Sequence, residues 1–243
     1  MSRIIAIHQP NFFPWLGLFH KISLVDTFYF FDHVQVTTGK GWHSRVKINL
    51  SGKPTWLTIP IYKSGKSGQS YAEIKMQPRG QFLRKHLGTI RQAYSKAPHF
   101  DSIFNLLEEL YDYSTENLCE FNMHAIKQIS CRLGLSSSFQ KTSNLLVTNP
   151  NIGSLSGNKL VLEIAINSKA ETYVSGTGCL DFIKPSSFNS HGIDFVFQDF
   201  AGTEYQQLAS DEFLPGLSVI DALMNLGWEG VSSLLGKGNQ DKS

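Results

Sequence analysis

Apolar runs and polar interruptions alternate near the N-terminus in a way that predicts a β-α-β unit. Residues 4–7 are all apolar, which is typical of a strand buried on both faces. A polar turn at 8–11 follows, and then apolar residues recur at near-helical spacing over 15–24. An aromatic strand at 27–31 completes the unit. Two such strands joined by a helix pair in parallel with a right-handed crossover.

The remaining pattern predicts an antiparallel hairpin, a helical middle segment and a C-terminal α/β part. In chain order, the predicted elements are strands at 42–50 and 56–61, a loop at 63–70, a strand at 72–76, a helix at 81–93, helices capped by Asp101 and Ser114, the second of them ending at Gly134, a helix at 158–170, strands at 172–175 and 193–200, and a helix capped by Ser218 that runs to 225 and is closed by Gly227.

These elements place the chain in the α/β class, with the N-terminal unit in a mixed, mostly parallel sheet. The helical part covers about 80–135, and the polar tail at about 236–243 is expected to fray. Since there is no internal repeat and no low-complexity linker, we expect a single domain over 1–243.

Composition excludes several classes of protein. With 41% hydrophobic and 17% charged residues, the chain has the apolar content of a folded core and too few charges for intrinsic disorder. No run of eighteen apolar residues predicts a transmembrane helix. The apolar run before His8 is too short for a secretory signal, so we expect a cytoplasmic protein.

Charge and cysteine usage limit the possible ligands. A formal net charge of +2 permits a local phosphate site but does not require a nucleic-acid partner. The three cysteines are widely spaced and form no C-x-x-C pair, so neither a disulfide scaffold nor a structural zinc site is indicated. His8 and His20 lack metal-ligand spacing, and we expect no metal and no cofactor.

The turn after the first strand is the strongest candidate site. In open α/β sheets, ligands bind where strands end and helices begin. His8, Gln9 and Asn11 could hydrogen-bond a substrate there, although the two amides could also only satisfy the turn backbone. Phe12 and Trp15 are placed to form apolar walls that stack on a sugar or a base.

Four side chains after this turn are further candidates. His20 could be a general acid or base, or simply a packed helix residue, and Lys21 follows it. Asp32 could orient a histidine or hold an amine, or face water, and Gln35 lies near it.

Other candidates lie further along the chain. Arg45 shares a strand face with Lys47, and the helix cluster of Lys85 and His86 could also bind phosphate or be a solvated face. A glycine-rich turn at 175–178 lets the backbone approach a ligand, but it is neither a P-loop nor a nucleophile elbow. The candidates from this part of the chain are Ser175, Gly176, Tyr205 and Asp221.

Several of these segments together resemble the WbqC-like protein family. The matching strings, in order, are HQPNFFPWLG at 8–17, HKI at 20–22, DHVQ at 32–35, LTIP at 57–60, KH at 85–86, YVSGTG at 173–178, YQ at 205–206 and LSVID at 217–221. The resemblance spans about 4–227, and the chain departs from the family pattern at 44–46 and 142–144.

The resemblance implies a role in bacterial surface-polysaccharide synthesis, including O-antigen. It implies a transferase that modifies a nucleotide-linked amino sugar, and the modification we favour is transfer of an acyl or aminoacyl group, such as glycyl, to the sugar amine. The donor could be a thioester, an aminoacyl-tRNA or an adenylate. The polar residues that the resemblance points to are His8, Gln9, Asn11, His20, Asp32, Gln35 and Arg45.

Amide formation suggests roles for some of these residues. His8 or His20 would take the proton from the sugar amine, oriented by Asp32. Backbone N–H groups after Pro10 and around Gly176 would face an oxyanion or a phosphate. Arg45 and Lys85 would hold the nucleotide diphosphate.

Two other functions stay open. The N-terminal unit is similar to the opening of nucleotidyltransferases, but their His-x-Gly-His motif is broken here because Gly17 is followed by Leu18. A non-catalytic module that binds a sugar nucleotide or a carrier is the third possibility. The sequence does not indicate an oligomeric state.

Overall fold

A parallel five-stranded sheet forms the centre of the computed structural model, which describes residues 3–36, 41–62 and 68–237. The strands are β1 Ile4–His8, β2 Thr27–Phe30, β3 Arg45–Leu50, β4 Lys53–Thr58, β5 Ser138–Lys141, β6 Thr172–Ser175 and β7 Asp194–Phe197. The helices are α1 Leu16–Ser23, α2 Leu83–Tyr94, α3 Phe100–Asp112, α4 Leu118–Arg132, α5 Ser143–Thr148, α6 Gly157–Asn167, α7 Pro185–Asn189 and α8 Val219–Lys237.

The sheet has the order β5-β2-β1-β6-β7, and each neighbouring pair is parallel. The central strand β1 pairs with β2 on one side and β6 on the other, and Ala6 lies opposite both Phe28 and Val174. α1 connects β1 to β2, so the predicted β-α-β unit and the α/β class are confirmed.

Alternation along β1 divides the core between the two faces of the sheet. Ala6 belongs to one apolar cluster, together with Phe19 of α1 and much of α3, α4 and α8. Ile5 and Ile7 belong to a second cluster, with Ile164 of α6 on the opposite face. This burial on both faces explains why β1 is continuously apolar.

The hairpin of β3 and β4 is confirmed and lies outside the main sheet. Its inner face carries Val46 and Ile48, which pack into the larger apolar cluster. Its outer face carries Arg45 and Lys47, whose charged groups lie over the indole ring of Trp56.

One predicted strand and two predicted helix caps were wrong. Residues 72–76 are not a strand but a 3-10 turn at Tyr71–Glu73 followed by isolated bridges. Asp101 does not cap α3 but lies in its first turn, where the helix dipole stabilises its negative charge. Ser114 does not cap α4, because Asn117 accepts the hydrogen bond from the Glu120 backbone N–H at 2.9 Å.

Other differences concern the C-terminal helix and a strand that was not predicted. The C-terminal helix breaks at Gly227, which has φ +67°, but continues to Lys237. β5 escaped prediction because its sequence is largely polar and it lies at an edge of the sheet. The loop predicted at 63–70 and the tail predicted at 236–243 fall largely outside the described residues. In the described ranges, no helix is long and apolar enough to cross a membrane.

Candidate functional site

A pocket of about 420 Å³ opens at the carboxyl ends of β1, β6 and β7. The chain leaves β1 toward β2 on one side, whereas β6 leads to β7 on the other, so the order of connection reverses between β1 and β6. Such a reversal creates a crevice that binds ligands in open α/β sheets. The pocket is lined by His8, Asn11, Phe12, Pro14, Trp15, Gly17, Leu18, Lys21, Trp42, Val46, Gly176, Thr177, Gly178, Gln198, Phe200 and Gly216.

The turn between β1 and α1 is held by the C-terminal part of the chain. Phe13 has φ +36°, an uncommon conformation for a residue with a side chain, and such strain persists only where contacts enforce it. The Ser218 hydroxyl donates to the Phe13 carbonyl at 2.7 Å, and the Val219 N–H donates to the Pro14 carbonyl at 2.9 Å. The start of α8 therefore fixes the backbone from which the pocket is built.

Lys21 brings a buried ammonium group to the pocket. It lies on α1, lines the pocket and is only 5% exposed. Its Nζ lies 3.0 Å from the position that a Cβ would take at Gly176, so the absence of a side chain there makes room for it. The Lys21 ammonium group forms no hydrogen bond or ion pair with any residue that the structure describes. Burial lowers its pKa to about 8, so a neutral fraction exists at physiological pH.

His8 supplies an imidazole that stays neutral. Its Nδ1 lies 2.8 Å from the Gln9 carbonyl oxygen, which can only accept, so Nδ1 carries the proton and Nε2 keeps its lone pair. Burial first, and then the charge of Lys21, lower the pKa of His8 to about 3. The ring is therefore a hydrogen-bonding group at neutral pH but a weak base.

Gln198, after β7, links the pocket to His20. Its Nε2 donates to the Gly17 carbonyl at 2.7 Å and to His20 Nδ1 at 3.0 Å, which fixes the orientation of the amide and leaves its oxygen for a ligand. The His20 ring is buried and stacks on Phe200 at 4.7 Å between centroids. His20 therefore lies behind the wall of the pocket, where it positions Gln198 and Phe200.

Aromatic rings form the apolar side of the pocket. Trp15 and Trp42 remain 43% and 51% exposed, and Trp15 packs against Phe200 at 5.7 Å between centroids. A Cβ at Gly17 would lie 2.2 Å from the Trp15 ring, so only glycine lets this indole lie against α1. Exposed rings that border polar groups are typical of sites for sugars and bases.

Comparison with known proteins identifies the family. The profile of the WbqC-like protein family matches residues 9–233. The chain belongs to the WbqC-like family. It is similar to the uncharacterized protein Rv1507c of Mycobacterium tuberculosis (strain ATCC 25618 / H37Rv), with 27% identity over 227 residues, covering 93% of this chain and 94% of that protein. No solved structure matches the chain.

The structure brings together only part of the predicted site of this WbqC-like protein. His8, Asn11, Phe12, Trp15, Lys21 and Gly176 line the pocket. Gln9 adjoins it and holds His8 through its carbonyl oxygen. Phe12 is fully buried and packs on Phe13 at 4.7 Å, so most of its ring belongs to the core. Ser175 is buried directly before the glycine turn.

Asp32 does not enter the pocket. It follows β2 and turns toward β5, where the Ser143 N–H and hydroxyl donate to its carboxylate at 2.9 and 2.6 Å. β5 lies on the side of β2 away from β1, so the carboxylate is directed away from His8. The predicted role of Asp32 in orienting a histidine therefore has no support in its hydrogen bonds, whereas a role in fastening the sheet edge does.

Gln35, Arg45 and Lys85 also lie outside this pocket. Gln35 is exposed and forms an isolated bridge with Ser70. Arg45 faces away from it because it lies on the opposite face of β3 from Val46. Lys85 is exposed on α2.

Tyr205 and Asp221 form a buried structural cluster. The carboxylate of Asp221 accepts from the hydroxyls of Tyr94 and Tyr205, each at 2.7 Å, and from Gln207 Nε2 at 3.0 Å. Because these donors surround it and it is fully buried, the predicted substrate contact of Asp221 has no support in its geometry.

His86 is likewise a buried structural residue. Its Nε2 donates to the Thr58 carbonyl at 3.0 Å, and its Nδ1 accepts from the Tyr111 hydroxyl at 2.8 Å. Burial lowers the pKa of His86 to about 4. The predicted phosphate contact of His86 therefore has no support, since both ring nitrogens are already used.

The neutral state of His86 predicts acid sensitivity. Its pKa is lower in the folded than in the unfolded protein, so its contribution is complete above about pH 6.5 and is lost as the pH falls toward about 4, at a cost of up to about 3 kcal/mol. We expect urea unfolding to show a shallower decline between these pH values in His86→Gln than in the native chain. The exposed His191, changed to Gln, is the control. An unchanged slope in His86→Gln would contradict this assignment.

Some lining residues were missed by sequence reasoning. Gln198 directly follows β7, which ends at Phe197, but the strand predicted over 193–200 ran past it, so its place at a strand end was hidden. Trp42, Val46 and Gly216 carry no local signal, because only the packing of the hairpin and of the α8 connection brings them to the pocket.

Proposed function

We propose that this WbqC-like protein transfers an acyl or aminoacyl group, such as glycyl, to the amine of a nucleotide-linked amino sugar in the synthesis of surface polysaccharide such as O-antigen. The observation that carries the proposal is Lys21, a buried amine beside a neutral histidine in an aromatic-walled pocket. The polysaccharide context is what the resemblance to the WbqC-like family implies. The cytoplasm, where sugar nucleotides are available, is the proposed location.

The pocket suits a sugar ring. Exposed faces of Trp15 and Phe200 offer apolar contact to the C–H face of a pyranose. The side-chain amides of Asn11 and Gln198 can bond hydroxyl groups at the ring edge. A volume of about 420 Å³ lies in the range of small-ligand pockets, about 300–1,000 Å³.

The burial of the pocket favours a reactive amine. A sugar amine bound there is driven toward its neutral, nucleophilic form because burial disfavours its charged form, as it does that of Lys21. His8 Nε2 can accept a hydrogen bond from this amine and aim its lone pair at the acyl carbon.

Lys21 suits the proton transfer better than either histidine. The amine nitrogen attacks the acyl carbon, the carbonyl electrons move to oxygen, and neutral Lys21 takes the proton released from nitrogen. The tetrahedral adduct then re-forms the carbonyl and expels the leaving group with its electron pair, and Lys21 returns the proton to that group. A base with a pKa of about 8 is well matched to neutral pH, whereas His8, with a pKa of about 3, is not.

Product analysis tests the proposal. Incubation with UDP- or dTDP-linked amino sugars and, separately, an acyl-CoA, an aminoacyl-tRNA and an aminoacyl-adenylate should yield an amide of the sugar by mass spectrometry with one of these donors. The matched control is the same sugar nucleotide with its amine acetylated, which should yield none. Release of pyrophosphate in a separate incubation with ATP would assign nucleotidyl transfer, and binding without turnover would assign a non-catalytic module. Either result overturns the proposal.

A further inference from the structure

A second cavity of about 340 Å³ lies on the outer face of the β3–β4 hairpin. Arg45 lines this cavity, whereas the adjacent Val46 lines the first pocket, since successive side chains of a strand point to opposite faces. Trp56 and Thr58 of β4 form the opposite side. Among the described residues that line the cavity, none is acidic.

Two cations in this region share one aromatic ring. The guanidinium carbon of Arg45 lies 4.0 Å from the centroid of the Trp56 ring, and Lys47 Nζ lies 5.2 Å from it. Neither cation forms an ion pair with a residue in 3–36, 41–62 or 68–237. Two like charges held together without a counter-charge repel each other, and a bound anion relieves that repulsion.

One nitrogen of Arg45 has been removed from water without compensation. Its Nε is buried and has no hydrogen-bond partner in the described part of the chain. A buried donor that is unpaired costs free energy that an acceptor recovers. Stacking on Trp56 fixes the plane of the guanidinium group, so its N–H edge is presented in the fork geometry that matches phosphate oxygens.

We propose that this second cavity binds the diphosphate group of a nucleoside diphosphate. Arg45 grips the phosphate oxygens through its N–H edge, and Lys47 neutralises the remaining charge. The hydroxyls of Ser44 and Thr58 have no hydrogen-bond partner among the described residues and are available as further donors. A bounded cavity on a chain with a net charge of only +2 favours a small diphosphate over the backbone of a polynucleotide.

One aromatic pair joins the two cavities. Trp42 lines the first pocket, and its ring lies 5.4 Å from that of Trp56, which lines the second. A single sugar nucleotide could thus place its sugar in the first pocket and its diphosphate at Arg45. This identification of the sugar rests on the proposed function, whereas the diphosphate site rests on the hairpin alone.

Calorimetric titration tests the site. We expect the native protein to bind UDP and inorganic pyrophosphate but not uridine. Arg45→Ala should weaken UDP binding at least about ten-fold, and Arg45→Lys should weaken it as well because lysine lacks the bidentate edge. Lys53→Ala removes an exposed cation from the same hairpin and should leave UDP binding within about two-fold of native. Thermal unfolding of each variant establishes that it is folded.

The contrary outcomes are distinct. UDP binding that is unchanged in Arg45→Ala, uridine binding equal to that of UDP, or an RNA oligonucleotide that binds more tightly than UDP would each overturn the inference. Lys21→Met separates the diphosphate site from the proposed function, since UDP binding should survive this change. UDP binding that depends on Lys21 and not on Arg45 would overturn the diphosphate site alone. Arg45-dependent UDP binding without any amide product would overturn the proposed function alone.

Discussion

Replacing Lys21 by methionine is expected to lower the rate of amide formation at least about a hundred-fold, the usual contribution of a positioned acid-base group. Methionine keeps the length and apolar stem of the side chain, and it removes a buried charge that has no partner among the described residues. The variant should therefore fold at least as stably as the native chain. Measuring kcat/KM and the urea midpoint of unfolding in both the variant and the native protein checks the two expectations together.

The pH profile decides how Lys21 acts. Because the neutral amine is the active base, kcat/KM should rise with pH and level off above a pKa of about 8, and this limb should vanish in Lys21→Met. Lys21→Arg keeps the positive charge but supplies no neutral amine, so it should be as impaired as the methionine variant. Near-native activity in Lys21→Arg would show that Lys21 only holds an anion.

Replacing Asp221 by alanine is expected to lower the free energy of unfolding by about 3–5 kcal/mol, because three buried donors lose their acceptor at about 1–3 kcal/mol each. The change leaves the hydroxyls of Tyr94 and Tyr205 and the Gln207 amide without their common acceptor. Tyr205→Phe removes a single donor from the same cluster and should cost only about 1 kcal/mol. Urea unfolding at neutral pH measures both.

The same variants test whether Asp221 touches substrate. If its role is structural, the molecules of Asp221→Ala that remain folded at low temperature should bind the sugar nucleotide as the native protein does. Asp211→Ala, which removes an exposed carboxylate, is the matched control. It should change neither the free energy of unfolding nor the binding of the sugar nucleotide. An unfolding free energy of Asp221→Ala within about 1 kcal/mol of native would contradict the cluster's structural role.

Elements with strong local patterns could be predicted from the sequence. β1, α1 and β2 were found because a doubly buried strand and an amphipathic helix each leave a periodic signal. β5 could not be found in the same way, since Phe139 is the only large apolar residue among its four. Its place in the sheet comes from pairing with β2, which no local pattern encodes.

The candidate site shows the same division. His8 and Asn11 were found because a polar turn directly after a buried strand is a local feature. The hydrogen bonds of Asp221 could not be foreseen, because its partner Tyr94 lies 127 residues away and no local pattern shows that the carboxylate is already satisfied. Arg45 and Val46 could be assigned to different cavities only in three dimensions, where β3 directs these neighbouring side chains to its two faces.

The hydrogen bonds from the start of α8 to the turn after β1 make the pocket a late product of folding. The bond from Ser218 to Phe13 spans 205 residues, and β1 gains its second neighbour only when β6 has been synthesised. Contacts of such long range form after the local ones, because their loop closure costs more entropy. A ribosome-bound chain that ends before α8 thus carries every residue that lines the pocket and still lacks the site. Ligand binding consequently stabilises only the finished protein.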